Sequence, residues 1–427
     1  MERSGQIHRE STISIASKLC VCALFGALAL IVSACARSRD AAPAASAPAT
    51  REAGKAPASQ RTLTLFLTGD VMTGRGIDQI LPHSVDPELH ESYVKSAARY
   101  VELAEAAHGP VPRGVSYDYV WGDALDGLAR AQPDARIINL ETSVTTSGEW
   151  WPEKGIHYRM HPENVEVLTA AGIDVCVLGN NHVLDWGHAG LQETLTVLQA
   201  AGLHTAGAGQ DREAAAAPAT VETDAGRVLV FSYGFPNAGV PLAWQAQDGR
   251  PGVNVLPDLS RESAQRIIDD VSAYRQAADR MVVSLHWGGN WGYAVSRSEQ
   301  DFAHWLIDAG AADVIHGHSS HHPKGIEVYK DRPILYGAGD FLNDYEGIEG
   351  LERFRADLTL MYFPTLDASG ALVSFEMTPL RIHRFRLQHA SAEETRWLAK
   401  TLDRESRKLG ARVEETEEGR LLLRWEG

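Results

Sequence analysis

Residues 63–72 read LTLFLTGDVM. The run 63–67 fits a short strand buried on both faces, and a glycine–aspartate pair follows at once. The same order recurs along the chain. Residues 137–138 lead to Asn139-Leu140-Glu141, and 175–178 lead to Gly179-Asn180-Asn181-His182. Residues 282–285 lead to His286-Trp287-Gly288, and 314–315 lead to His316-Gly317-His318-Ser319-Ser320-His321-His322. The strand-like runs are 63–67, 136–138, 174–178, 281–285, 313–315 and 333–336. Helical spacing separates several of them. Val165, Leu168 and Ala171 mark a helix over 162–171 that stops at Gly172. Leu191, Leu195 and Leu198 mark another over 190–201, and residues 259–280 and 298–309 are two more. Strands alternating with helices predict an α/β body.

In open α/β sheets, ligands bind beyond the carboxyl ends of the strands. Five distant segments therefore bring carboxylates, amides and imidazoles toward one edge. Nitrogen and oxygen donors without thiolate suit a divalent metal: Mn, Zn or Fe, as one or two ions. Two ions about 3.5–4 Å apart would activate a water for an in-line displacement. Each donor alone also fits a plainer role. Asp70 can cap a turn, Asn139 and Glu141 can satisfy a strand end, and the Asn-Asn-His triplet can form a turn. His286 can be a core histidine. His318 and His321, three apart after a buried run and a glycine, read better as ligands. The joint placement is the signal.

In this order the motifs Gly69-Asp70-Val71-Met72, Asn139-Leu140-Glu141, Gly179-Asn180-Asn181-His182, His286-Trp287-Gly288 and Gly317-His318-Ser319-Ser320-His321 resemble those of the CapA family. Residues 333–341, PILYGAGDF, are similar to that family's final strand and Gly-Asp-Phe turn. The resemblance runs from about residue 63 to about 386. It implies a calcineurin-like metallophosphoesterase sandwich, with two facing β-sheets flanked by helices. It implies metal ligation by Asp70, Glu141, Asn181, His286, His318 and His321. His182 would protonate a leaving group or contact a substrate oxyanion. The broader phosphoesterase pattern opens Asp-x-His, whereas Met72 stands two places after Asp70 here. The Asn139/Glu141 pair replaces its second carboxylate, and its Gly-His-x-His becomes Gly-His-x-x-His. Further candidates for substrate contact or for orienting ligands are Asn139, Asn180, Asp185, Asp340, Arg75 and Arg159. Asp185 can orient a histidine, and either arginine can pair with a phosphate or a polymer carboxylate. A solvated or locally paired role is the commoner one for Asp185, Asp340 and both arginines.

The 427 residues are 44% hydrophobic and 22% charged, an ordinary globular balance, with a net charge of -16. Such acidity argues against non-specific nucleic-acid binding. The cysteines are Cys20, Cys22, Cys35 and Cys176, which make no Cys-x-x-Cys pair and no disulfide framework. Residues 1–34 run from a basic stretch through apolar 19–32 to Ser33-Ala34, the order of a signal peptide. Val32-Ser33-Ala34-Cys35 resembles a lipobox, so Cys35 is the expected site of lipidation. Residues 35–61, rich in Ala, Pro and Ser, read as a flexible tether. The expected organisation is signal peptide 1–34, tether 35–61, CapA-like domain 62–386, and a C-terminal helix and hairpin over 387–427. Ser391 and Glu394 form a capping-box pattern for that helix, and Glu418-Gly419 turns the hairpin.

The sequence thus predicts an exported, membrane-anchored lipoprotein of the cell envelope. Its expected role is in capsule or poly-γ-glutamate biosynthesis and export, as a metal-dependent hydrolase of phosphoester or γ-glutamyl amide bonds. The other reading is a non-catalytic subunit that binds an anionic polymer or a membrane synthase and export complex.

Overall fold

Seven strands carry the site. They are β1 (Leu63–Val71), β2 (Ala135–Leu140), β3 (Val175–Val177), β4 (Gly226–Gly234), β5 (Arg280–His286), β6 (Val314–His318) and β7 (Asp340–Leu342). The computed structural model describes residues 61–426 apart from 153 and 351. The expected signal peptide, Cys35 and nearly all of the tether lie outside the described residues.

Side-chain alternation explains the layering. Leu63, Leu65 and Leu67 of β1 point into one core with Val175, Val177, Val228, Val230, Val282 and Val314. The intervening residues point outward into separate clusters. Phe66, Ile138 and Cys176 share one cluster with Leu191 and Leu198 of the helix Gly187–Ala200. Leu229, Phe231, Val283, Leu285 and Ile315 pack beneath the helices Arg261–Tyr274 and Arg297–Asp308. The result is helix, sheet, sheet, helix, the sandwich that the sequence predicts. Each buried Leu or Val contributes about 1.5–3 kcal/mol by leaving water. Both faces are covered, which is why these strands read as near-continuous apolar runs.

In the first sheet β1, β2 and β3 run parallel, and Leu358–Leu366 and Leu372–Ile382 continue the sheet antiparallel beyond β1. In the second sheet β4, β5 and β6 run parallel. The C-terminal helix Ala392–Ser406 starts with the expected capping box of Ser391 and Glu394. The hairpin of Ala411–Glu415 and Leu421–Trp425 pairs onto Leu372–Ile382, and Leu421 and Leu423 enter the inter-sheet core. The last segment therefore completes the sandwich. No helix among the described residues is long and apolar enough to cross a membrane.

Register fixes which side chains meet. Asp70 lies opposite Asn139 on one side and opposite Asp340 of β7 on the other. In the second sheet His286 lies opposite His318. Two rows of donors thus share the rim where the parallel strands end. The Asp70–Asp340 pairing depends on two glycines. The Asp70 amide donates to the Gly339 carbonyl at 3.0 Å. A Cβ on Gly69 would stand 1.6 Å from that carbonyl oxygen, inside any allowed contact. Gly339 itself has φ +83, a conformation that favours glycine.

Gly69→Ala is therefore expected to destabilise the protein by at least about 3 kcal/mol. Gly148→Ala, where an added Cβ meets nothing within 4 Å, is the matched control. Chemical denaturation of both variants checks this, and equal midpoints would contradict the close approach.

Candidate functional site

Asp70 is fully buried at the end of β1. Its Oδ1 accepts a hydrogen bond from Asn139 Nδ2 at 2.8 Å, and its Oδ2 has no hydrogen-bond partner. The ligand atoms of Asp70, His286 and His318 lie within 4.8 Å of one another. Those of Asp70, His321 and Asp340 do so too, and Asp70 belongs to both trios. Glu141 stands beside them, with Oε1 3.6 Å from His286 Nε2. Asn139 Nδ2 also donates to Glu141 Oε2 at 2.5 Å, so one amide ties the two carboxylates together.

The asparagines hold the rim. Asn180 Nδ2 donates to Asn139 Oδ1 at 2.9 Å, and Asn180 Oδ1 accepts from the amides of His182 and Val183. Asn180 thus orients Asn139 and shapes its own turn. Asn181 Oδ1 lies 3.0 Å from His286 Nε2. His182 Nδ1 donates to Asp185 Oδ2 at 2.6 Å, which leaves Nε2 as the other ring nitrogen. Asp185 also accepts from Lys154 Nζ at 2.5 Å and from the Tyr158 amide at 2.8 Å. A cleft of about 360 Å³ opens above Glu141, Asn181, His182, His286 and His321, with Lys154, Tyr158, Asn290 and Tyr345 among its walls.

Burial dominates the electrostatics. It raises the Asp70 carboxyl to about 7, with the Asp340 charge adding to the shift. Burial, then Asp70, raises Glu141 well above the usual carboxylate range. Burial, followed by neighbouring imidazoles, holds His286 and His318 well below the ordinary histidine value. Burial works against a charged His321, but Asp340 at 2.8 Å and the Asp70 charge together outweigh it and raise that imidazole. Burial lowers His182 to about 4, opposed by Asp185. Carboxylates, neutral imidazoles and an orphaned carboxylate oxygen thus crowd into one buried volume. Their N and O donor set fits a divalent cation.

Several placements were not legible beforehand. Asp340 is buried between Asp70 and His321, and Asn343 Nδ2 holds its other oxygen at 2.8 Å. Arg75 keeps its guanidinium inside the protein rather than presenting it to a ligand. It meets Asp344 through Nε at 3.0 Å and through a second nitrogen at 2.5 Å, and Glu91 at 2.9 Å. Arg159 donates to the carbonyls of Ser147 and Asp86 and stacks on Trp186 at 3.7 Å. Neither arginine lines the cleft. Lys154 was missed, and its surrounding sequence carries no signal of its role. Ser284, a polar residue within the apolar run of β5, was the flag for an interior network that the sequence reading passed over.

Residues 64–345 match the family model described as bacterial capsule synthesis protein PGA_cap. The chain belongs to this family. A Mycobacterium tuberculosis relative named "Probable polyglutamine synthesis accessory protein" is 48% identical over 354 residues, covering 82% of this chain and 93% of that one. The "PGA biosynthesis protein CapA" of Bacillus subtilis is 28% identical, covering 76% of this chain and 73% of its own. The "Capsule biosynthesis protein CapA" of Bacillus anthracis is 29% identical, covering 54% and 53%. The span matched by the family model contains every cleft residue named above.

The Arg75–Asp344 pair is buried on both sides. Asp344→Ala leaves the guanidinium short of a partner, and the expected cost is about 3–5 kcal/mol. Urea unfolding of the variant measures it. A cost within about 0.5 kcal/mol, the range of neutral surface changes, would return Arg75 to the pool of free ligand-binding groups.

Proposed function

We propose that this PGA_cap protein acts in the synthesis or export of a glutamate-derived envelope polymer, and that its cleft is a divalent-metal hydrolytic centre. The observation that carries the reading is the buried Asp70 carboxylate, shared by two donor trios whose His286 and His321 line an open cleft. Asp70, Glu141, Asn181, His286, His318 and His321 would hold Mn, Zn or Fe, as one or two ions, with Asp340 joining them. A bound divalent ion supplies Lewis acidity and a water of lowered pKa. His182, held by Asp185 through Nδ1, keeps Nε2 for proton exchange with the substrate or the attacking water. With its pKa lowered to about 4, it is neutral at pH 7 and accepts a proton before it gives one. Lys154 is tied to Asp185, and it adds positive charge at the mouth for an anionic polymer or phosphoester.

The names of the relatives, with "polyglutamine synthesis", "PGA biosynthesis" and "capsule biosynthesis" among them, support a polymer of glutamate or glutamine as the substrate class. The reading includes export by the signal peptide, anchoring through Cys35 and work beside a membrane synthase or export complex. The word "accessory" in the mycobacterial name favours a second reading, a subunit that binds polymer without cleaving it.

Purified protein loaded with Mn²⁺ is expected to hydrolyse poly-γ-glutamate or bis-p-nitrophenyl phosphate, and His318→Ala is expected to reduce the rate to background. Hydrolysis that survives this substitution would remove the cleft from the chemistry. Polymer binding without hydrolysis, with Mn²⁺ bound, would establish the accessory reading in its place.

A further inference from the structure

Ser284 and His316 sit on the inner faces of β5 and β6, beside Val282 and Val314 in the apolar space between the sheets. Polar groups in such a place are costly unless every donor and acceptor finds a partner. Theirs form one chain. His316 Nε2 lies 2.7 Å from the Thr68 carbonyl of the opposite sheet. Its Nδ1 lies 3.2 Å from Ser284 Oγ, and Ser284 Oγ lies 2.8 Å from His318 Nε2.

The direction of every bond follows from the first. A carbonyl oxygen can only accept, so His316 Nε2 carries the hydrogen. A neutral imidazole holds one ring hydrogen, so His316 Nδ1 is an acceptor. Ser284 has one hydrogen and gives it to that nitrogen. Its oxygen then has only lone pairs left, so His318 Nε2 must be the donor to it. His318 Nδ1 is therefore bare. That nitrogen faces the site, 3.9 Å from Asp70 Oδ1 and 2.8 Å from His286 Nδ1. On the far side His286 Nε2 donates to Asn181 Oδ1 at 3.0 Å, which leaves His286 Nδ1 bare as well. Two lone pairs at that separation repel each other, and a shared cation relieves the repulsion. Thr68, Ser284, His316 and His318 are all 0% exposed, so no solvent can take over a link.

We propose that Ser284 and His316 are positioning residues that lock His318 in its Nε2–H tautomer, so that a bare Nδ1 is presented beside Asp70. The value of this lock for ligation rests on the metal reading given above; the tautomer itself does not. The same relay joins the two sheets through Thr68. It therefore fixes the ring that carries the ligand atom to the strand that carries Asp70, and carboxylate and imidazole keep their spacing. Partners behind a ligating histidine fix its tautomer and ring orientation in this way.

The test begins with the metal-free full chain, labelled with ¹⁵N,¹³C-histidine and read by ring-nitrogen NMR shifts. His316 and His318 are expected to carry their hydrogen on Nε2. A hydrogen on Nδ1 of His318 would overturn the proposal without any variant being needed. Ser284→Ala is expected to leave His318 in mixed tautomers and to weaken Mn²⁺ binding by about 10–100-fold in equilibrium dialysis. Ser284→Thr, which keeps the hydroxyl, is expected to restore both readings. A folded Ser284→Ala protein with wild-type tautomer and affinity would also overturn the proposal. Wild-type protein that shows the expected tautomer and binds no Mn²⁺ would support the relay and sink the metal reading instead.

Discussion

Asp70 is a carboxylate taken fully out of water with one of its oxygens unpartnered. Removing an ion from water without compensation costs several kcal/mol, and the rim of the sandwich is arranged around that cost. Asn139 covers one oxygen, and Asp340 and Glu141 crowd the same space as further acids. His286, His318 and His321 close the remaining sides. Nothing in this set is gained by burial alone. A carboxyl held at about 7 beside neutral imidazoles is stabilised when a cation joins them. The close approach of Gly69 to Gly339, the parallel register and the asparagine ladder all serve this one placement.

The fold was largely legible because the strands are buried on both faces. Short apolar runs ending in Gly, Asp, Asn or His marked six strands, and parallel pairing carried their polar ends to one rim. Other parts were hidden for identifiable reasons. The strand Gly226–Gly234 leads into Phe235-Pro236 rather than into a metal-binding side chain, so it carried no chemical flag. Helix starts were blurred where the cap precedes the apolar spacing, as at Ser296 with Glu299. The pairing of Asp340 with Asp70 depends on two glycines distant in sequence meeting backbone to backbone, which no local pattern encodes. The partners that bury Arg75 were not legible, because Asp344 and Glu91 come from segments that touch it only after folding.

The departures of this family from the broader phosphoesterase pattern have a structural counterpart. Met72 stands where that pattern carries an imidazole, and it is buried within reach of the Tyr345 hydroxyl at 3.8 Å. Donors reach Asp70 from other segments instead. His321 comes from the loop after β6, and Asp340 opens β7. The donor shell is thus rebuilt from loops that the shared register brings alongside, while β1 keeps its aspartate.

Whether Asp70 anchors a cation is the point on which the rest turns. Crystals of the full chain grown with Mn²⁺, measured at the manganese absorption edge, address it directly. An anomalous peak in contact with the carboxylate of Asp70 and the imidazole of His318 is the expected result. Saturating Mn²⁺ with no peak at Asp70, or with density only at a separate group such as His108, Glu346 and His383, would contradict the account.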